Sequence, residues 1–471
     1  MKSLIQPLLP IVGFLLFGLP SEATDSSVAF VCNTGGSSVS FFDVTNPSQK
    51  TTQTIGVGNG PDAVATAEDR YVCVCNSTDD TVSIIDSENP FQAPITVKVG
   101  FYPIAIAIAE HRYACVCNNH DTTVSVFDVT KPPSGKAPTI DVGFAPYDIA
   151  IAEGKIACVT NNASPGEVAV FDITDLSTPP TQISVGDNPT AIAVADHKYA
   201  CVCNSPDNTV SIFDVTALAI PPTTVAVGAN PIAIAIGASK YACVLNQGGP
   251  TVTILDATTA TSPVPPVPVG NNPVAIAVAG NKYVCVCNFD DSTVSLFELF
   301  NPFSRSAQTV AVVNNPSAIA IADNKYACVC CMYSNNVSIF DVTNPPTATA
   351  QSVTVGSLPQ AIAIIPPPVH PPQDFKGQVC RKGHKGVLKM RWEKSPSPNI
   401  VSYELFSSQK QIATIPASSP FKFRTELHSP YLLRKHLPQK YLCQLQKKYR
   451  IRAVNGEGRP SHFKELDVKE G

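Results

Sequence analysis

The sequence predicts an all-β chain: an eight-bladed β-propeller, with seven blades as the alternative, followed by a small β-sandwich. Three observations carry this. A phrase close to P-x-A-I-A-I-A-x-x-K-Y-A-C-V-C-N-x-x-x-x-T-V-S-I-F-D-V-T returns every 42 or 43 residues to about residue 365. Repeats of that length, made of short strands punctuated by Gly, Pro and Asn, are how propeller blades look in sequence. The two ends of the repeat region complement each other, and beyond a proline-rich break the composition changes and the phrase disappears.

Residues 1–23 read as a signal peptide: Lys2, an apolar run from Leu4 to Leu19, then Ser21-Glu22-Ala23 with small residues where a signal peptidase cuts. The propeller is expected over 24–365. Each unit opens after a proline, at Pro61, Pro103, Pro146, Pro189, Pro231, Pro273, Pro316 and Pro359, with an Ala/Ile or Ala/Val alternation. Period 2 means strand, and small residues suit the crowded strand nearest a propeller axis. Proline at a strand entrance removes no interior ladder bond. The second strand is Tyr71–Cys75 and its copies, the third the T-V-S-I-F-D pattern as at Thr209–Asp214, and the fourth the short T-V-x-V-G as at Thr224–Gly228.

The repeat begins at Val28–Asn33 with a second strand and ends at Ala361–Ile365 with a first strand. The two termini therefore predict one shared blade, its inner strand supplied by 359–365, which leaves no open sheet edge. Pro366 to Pro372 holds five prolines and reads as a stiff spacer within a linker at 366–374. In 375–471, Leu388–Trp392, Ile400–Phe406, Gln411–Ile415, Lys448–Val454 and His462–Val468 read as strands around a charged, aperiodic stretch at 424–445. Short strands at that density suggest a sandwich.

The 16 cysteines would suit a disulfide scaffold in an exported chain, but their placement favours packing. One column of the second strand holds Cys73, Cys115, Cys158, Cys201, Cys243, Cys285 and Cys328; two residues on, another holds Cys32, Cys75, Cys117, Cys203, Cys287 and Cys330. A spacing of two puts each pair on one sheet face, where blades stack and cysteine serves as a small hydrophobe. Isolated disulfides and metal chelation are the alternatives, and no histidine recurs beside the columns. Cys380 and Cys443 are the candidates for a disulfide in the C-terminal domain. No cofactor and no metal site is expected.

The formal charge of −4 hides an asymmetry: residues 374–471 carry a net +12 and the rest a net −16. The basic part could dock on the acidic one or steer partners. Lys447, Lys448, Arg450 and Arg452 form a candidate basic surface for polyanions, without the interleaved aromatics of a nucleic-acid platform. Turns after the outer strand and turns between the second and third strands share a rim. Most lead-in turns are polar, such as Asn271-Asn272, but Phe101, Tyr102, Phe144 and Tyr147 break the pattern beside Asp187 and Asn188, which makes these six the candidate ligand contact. The other side of that rim offers Asp79-Asp80, His120-Asp121, Asp207-Asn208 and Asp291, oxygen-rich but without an ordered calcium-loop run. No nucleophile–base set, H-E-x-x-H or phosphate loop can be placed.

Lys240-Tyr241-Ala242-Cys243-Val244-Leu245-Asn246 and its counterparts resemble the YVTN-type propeller repeat, in which K-Y-A-Y-V-T-N precedes T-V-S-V-I-D. Cysteine replaces the second tyrosine here and commonly the threonine, while Asn33, Asn76, Asn118, Asn161, Asn204, Asn246 and Asn288 keep the last position. The resemblance spans 28–365 and implies a surface, periplasmic or secreted protein. The C-terminal segment is similar to a fibronectin type III module. Leu388–Trp392 matches its B strand, Ile400–Leu405 its C strand, and Tyr449–Gly458 its F strand and turn, with Tyr449 in the tyrosine-corner role. The expected function is an exported, non-catalytic binding or adhesion scaffold for a protein or glycan surface ligand. The alternatives are a propeller enzyme, a lyase or oxidoreductase using the axial mouth, and polyanion or nucleic-acid binding through the basic domain.

Overall fold

In the computed structural model the described residues are 26–46, 52–67, 70–300 and 307–367, with eight strands between 376 and 470. The expected signal peptide, most of the linker and residues 428–448 lie outside them. The described chain forms two compact units, Ser26–Pro366 and the C-terminal strands, each considered by itself.

The first unit is eight four-stranded antiparallel sheets, so the count of eight holds and the seven-bladed alternative does not. Blades are numbered here by their inner strands, from Pro61–Ala67 in blade 1 to Pro359–Ile365 in blade 8. Blade 8 joins the two ends of the unit: Val28–Asn33 pairs with Pro359–Ile365 on one side and Ser38–Asp43 on the other, in a register that sets Cys32 opposite Ala361. Successive inner strands are neighbours around the ring, and Pro359–Ile365 returns to Pro61–Ala67.

Both cysteine columns face the next blade. Cys73 and Cys75 of blade 1 pack with Val82, Ile84 and Val97 against Ala114, Val116 and Phe127 of blade 2. The same seam recurs from Cys115 and Cys117 onto Val159 and Phe171, and so round to Phe30 and Cys32 of blade 8 onto Val72, Val74 and Ile85 of blade 1. The inner-strand partner of each first-column residue is alanine, as in Ala65 opposite Cys73, so a small residue meets a small residue where blades crowd the axis. All fourteen cysteines of the unit are buried and free. Burial pushes the Cys73, Cys115 and Cys158 thiols up to about 12, which keeps them protonated and inert.

Six of the eight second strands end on a buried polar lock, an asparagine amide held by two hydroxyls of the third strand. The Asn76 amide donates to Thr81 Oγ1 at 3.0 Å and Ser83 Oγ at 2.9 Å, and Asn118, Asn204 and Asn288 repeat the pattern. The chain crossing from the previous blade passes directly over this amide. A Cβ at Gly58, Gly100, Gly228 or Gly270 would fall within 2.7 Å of it, which is why glycine ends the outer strand there. Blade 7 changes both partners together. Cys331 replaces the asparagine and Val313 the glycine, and the Val313 N–H donates to Ser338 Oγ at 3.1 Å.

On the opposite rim Arg70, Arg112, Lys155, Lys198, Lys240, Lys282 and Lys325 each pair with the carboxylate ending their own blade's third strand. Six of these cations also lie over the adjacent tyrosine ring at 4.6–5.2 Å.

The C-terminal strands form two four-stranded sheets. Lys376–Lys382 and Lys422–Leu427 are strands that the pattern in sequence does not show, the latter reaching into the stretch read as aperiodic. Ile451, on Tyr449–Asn455, is fully buried. Cys443, Lys447 and Lys448 lie outside the described residues, as do the side chains of Cys380, Arg450 and Arg452.

Two outcomes follow from the closed ring. Deleting residues 359–365 uncovers Phe30 and Cys32 along an open edge, and the variant is expected to precipitate or elute as aggregate in size-exclusion chromatography; a soluble monomer with unchanged melting would contradict the closure. Alkylation of the native chain should leave the fourteen propeller thiols unmodified by mass spectrometry and reach all of them in denaturant.

Candidate functional site

The site is built on lead-in turns, the short links between one blade's outer strand and the next blade's inner strand. The last residue before each proline is left-handed in all eight blades: Gly60, Tyr102, Ala145, Asn188, Asn230, Asn272, Asn315 and Leu358 have φ between 44° and 67°. Asparagine tolerates that region and a bulky aromatic does so with strain of order 1 kcal/mol. Tyr102, at φ 56°, is the one aromatic there. Its ring stacks on His120 with centroids 4.3 Å apart and planes 10° from parallel.

The turn is held rigidly. The Asn119 and His120 N–H groups donate to the Tyr102 and Phe101 carbonyls at 3.0 and 3.2 Å. Asp121 accepts the Phe101 N–H at 3.1 Å and Asp80 the Tyr102 N–H at 2.9 Å. The acidic turns therefore lie against the lead-in turns, not apart from them across the rim as the strand pattern suggests. Asp79, Asp207 and Asp291 do the same for Asn59, Asp187 and Asn271. In blades 1 and 6 the lead-in asparagine gains a side-chain bond as well, Asn59 Nδ2 to Asp79 and Asn271 Nδ2 to Asp291. Phe101 forgoes that bond.

Phe101, Tyr102, Phe144 and Tyr147 are 59%, 38%, 74% and 42% exposed, all on the lead-in side of blades 2 and 3. Asp187 and Asn188 lead into blade 4 and are half-buried, the Asp187 N–H tied to Asp207. A left-handed residue also precedes the proline in the six other blades, which carry no aromatic ring at these positions.

Asp148 is a residue that the repeat phrase hides. Its column is alanine in the other seven blades: Ala63, Ala105, Ala191, Ala233, Ala275, Ala318 and Ala361. Its cross-strand partner, Thr160, stands where six blades have cysteine and one has Leu245. The signal lay in that paired exception. Thr160 Oγ1 accepts the Asp148 N–H at 3.0 Å, while the Asp148 carboxylate accepts the Ile149 N–H at 2.8 Å and, across the seam in blade 4, the Ile192 N–H at 2.9 Å. Burial pushes the carboxyl up to about 6, and the two N–H bonds only partly offset it. Among the described residues no group of three or more His, Cys, Asp or Glu could hold a metal ion.

No protein-family profile and no curated protein matches the chain. Solved structures do. The crystal structure of Citrobacter koseri AztD aligns with a TM-score of 0.55 at 14% identity, over 72% of this chain and 97% of that one. Apo AztD from Citrobacter koseri gives 0.54 at 14% identity, over 72% and 98%. Kuenenia stuttgartiensis hydrazine synthase gives 0.47 at 21% identity, over 57% and 92%, a score that supports no argument. The AztD likeness shows a shared propeller fold and nothing of ligand.

Asp148 makes stability depend on pH. Its folded-state pKa of about 6 lies above the ordinary 3.8, so its contribution is complete below 3.8 and is lost as pH rises through about 6. Relative to Asp148→Asn, the native chain should lose about 1–3 kcal/mol between about pH 4 and pH 7, read from denaturation midpoints. Parallel curves for the two proteins would contradict the assignment.

Proposed function

We propose that the chain is an exported, non-catalytic binding scaffold related to YVTN-type propellers. The rim of blades 2 and 3 is its contact face, and the C-terminal strands form a fibronectin-like spacer or second module. One observation carries the reading: exposed rings collect at positions where other copies of the same turn do without them, in one case against a backbone preference. Rings held on a rigid frame bury much area on binding at small entropic loss. Export rests on the expected signal peptide and the repeat's resemblance, and it accords with thiols protected by burial.

The test is retention of labelled full-length chain on the cell envelope of its source. Phe101→Ser with Phe144→Ser is expected to weaken retention at least about tenfold, two aromatic anchors being worth over 1 kcal/mol together, with unchanged melting. Undiminished retention by the folded variant would overturn the reading.

A further inference from the structure

The repeat's ion pairs engage every described Lys and Arg of the propeller unit except Lys98, Lys131 and Lys136. Lys98 and Lys136 are not scattered. They are partners in an isolated parallel bridge where the outer strand of blade 1 meets the loop before the outer strand of blade 2, fixed by the Ala137 N–H donating to the Lys98 carbonyl at 2.8 Å. Both are exposed, and among the described residues neither has an ion-pair partner. The Lys98 column reads Gly56, Asp141, Ser184, Ala226, Pro268, Ala311 and Thr354 in the other blades, so the fold needs no cation there. Like charges side by side repel unless an anion joins them.

The two lysines line a groove of about 270 Å³ with Asp79, Asp80 and Phe101. The groove is thus lined by both the lysine pair and the first ring of the aromatic rim. Asp79 has both oxygens occupied by Asn59, and Asp80 accepts the Tyr102 N–H. These bonds leave both carboxylates charged but commit their oxygens mostly to the lead-in turns, whereas neither ammonium is paired among the described residues.

We propose that this groove takes the carboxylate or sulfate of an anionic glycan, whose neighbouring sugar rings lie over Phe101 and the Tyr102–His120 stack. The ammonium groups bind the oxyanion, the ring faces accept the apolar sides of the pyranoses, and the free oxygen of Asp80 accepts a hydroxyl. A glycan with one charged group per disaccharide, as hyaluronan has, fits better than an acidic peptide because its charges are widely separated. A run of carboxylates would pass Asp79, Asp80 and Asp121 in a unit that is strongly acidic overall. The inference rests on the rim being a contact face and adds the class of ligand.

Titration calorimetry of the full-length chain with hyaluronan and heparin hexasaccharides tests it, with maltohexaose and poly-L-glutamate as comparison probes. The C-terminal domain is present throughout, so the readout is the difference between the native chain and Lys98→Gln/Lys136→Gln. Binding of at least one anionic hexasaccharide is expected to weaken about tenfold in that variant and to fall as salt is raised, since two partly exposed ion contacts together supply about 1.4 kcal/mol. Maltohexaose should bind more weakly than the anionic sugars. Equal affinities for the native chain and the variant, equal binding of maltohexaose, or poly-L-glutamate binding that matches the hexasaccharides and shares their sensitivity to the variant would each overturn the proposal. If Phe101→Ser/Phe144→Ser loses envelope retention while Lys98→Gln/Lys136→Gln keeps it, the contact face stands and the anionic-glycan assignment fails.

Discussion

Each blade presents a cysteine-bearing apolar face to an apolar face of the next, in most seams alanine, valine and phenylalanine, and the ring exists because such a fit is made eight times and closes. Closure is the constraint on which the rest depends. It requires small residues near the axis, which the Ala–Cys pairs supply, and it requires the chain's two ends to meet in blade 8. The asparagine lock does the complementary polar work. It ties second and third strands inside one blade while leaving room only for glycine in the chain arriving from the blade before. The joint change to Cys331 and Val313 in blade 7 shows how closely the two positions depend on each other.

A scaffold over-determined in this way can carry departures at its rim. The left-handed position in every lead-in turn is set by the ring and does not depend on which side chain occupies it, so Tyr102 can sit there despite the strain. Hydrogen bonds from the neighbouring turn then fix Phe101 and Tyr102 as a platform. Asp148 follows the same logic nearer the axis, where a carboxylate is held in an alanine column by backbone N–H groups of two blades.

The architecture was legible because it is written repeatedly: prolines mark inner strands, period 2 sorts the faces, and the complementary ends announce the shared blade. The aromatic exceptions at Phe101 to Tyr147 stood out against polar copies for the same reason. Asp148 and Lys98 were less visible, since reading the repeat as a phrase smooths over single changes inside a strand. The bond between Asp121 and Phe101 spans twenty residues and depends on two turns lying side by side, which strand order suggests only coarsely. Beyond Pro366 repetition ends, and Lys376–Lys382, with Val379 and Cys380 among polar residues, offers too little alternation to read as a strand.

The central claim is that the rings at the rim are there for something other than the fold. The double substitution Phe101→Asn/Tyr102→Asn, which installs the pair that blade 6 carries at Asn271-Asn272, tests this most directly through thermal melting. An asparagine side chain at position 101 can reach Asp121 as Asn271 reaches Asp291, and asparagine at position 102 relieves the left-handed strain. Both gains offset the lost stack on His120, worth about 1 kcal/mol. The account predicts a Tm within about 2 °C of the native chain or above it. A Tm lower by about 6 °C or more would show that the rings serve the fold and would contradict the account.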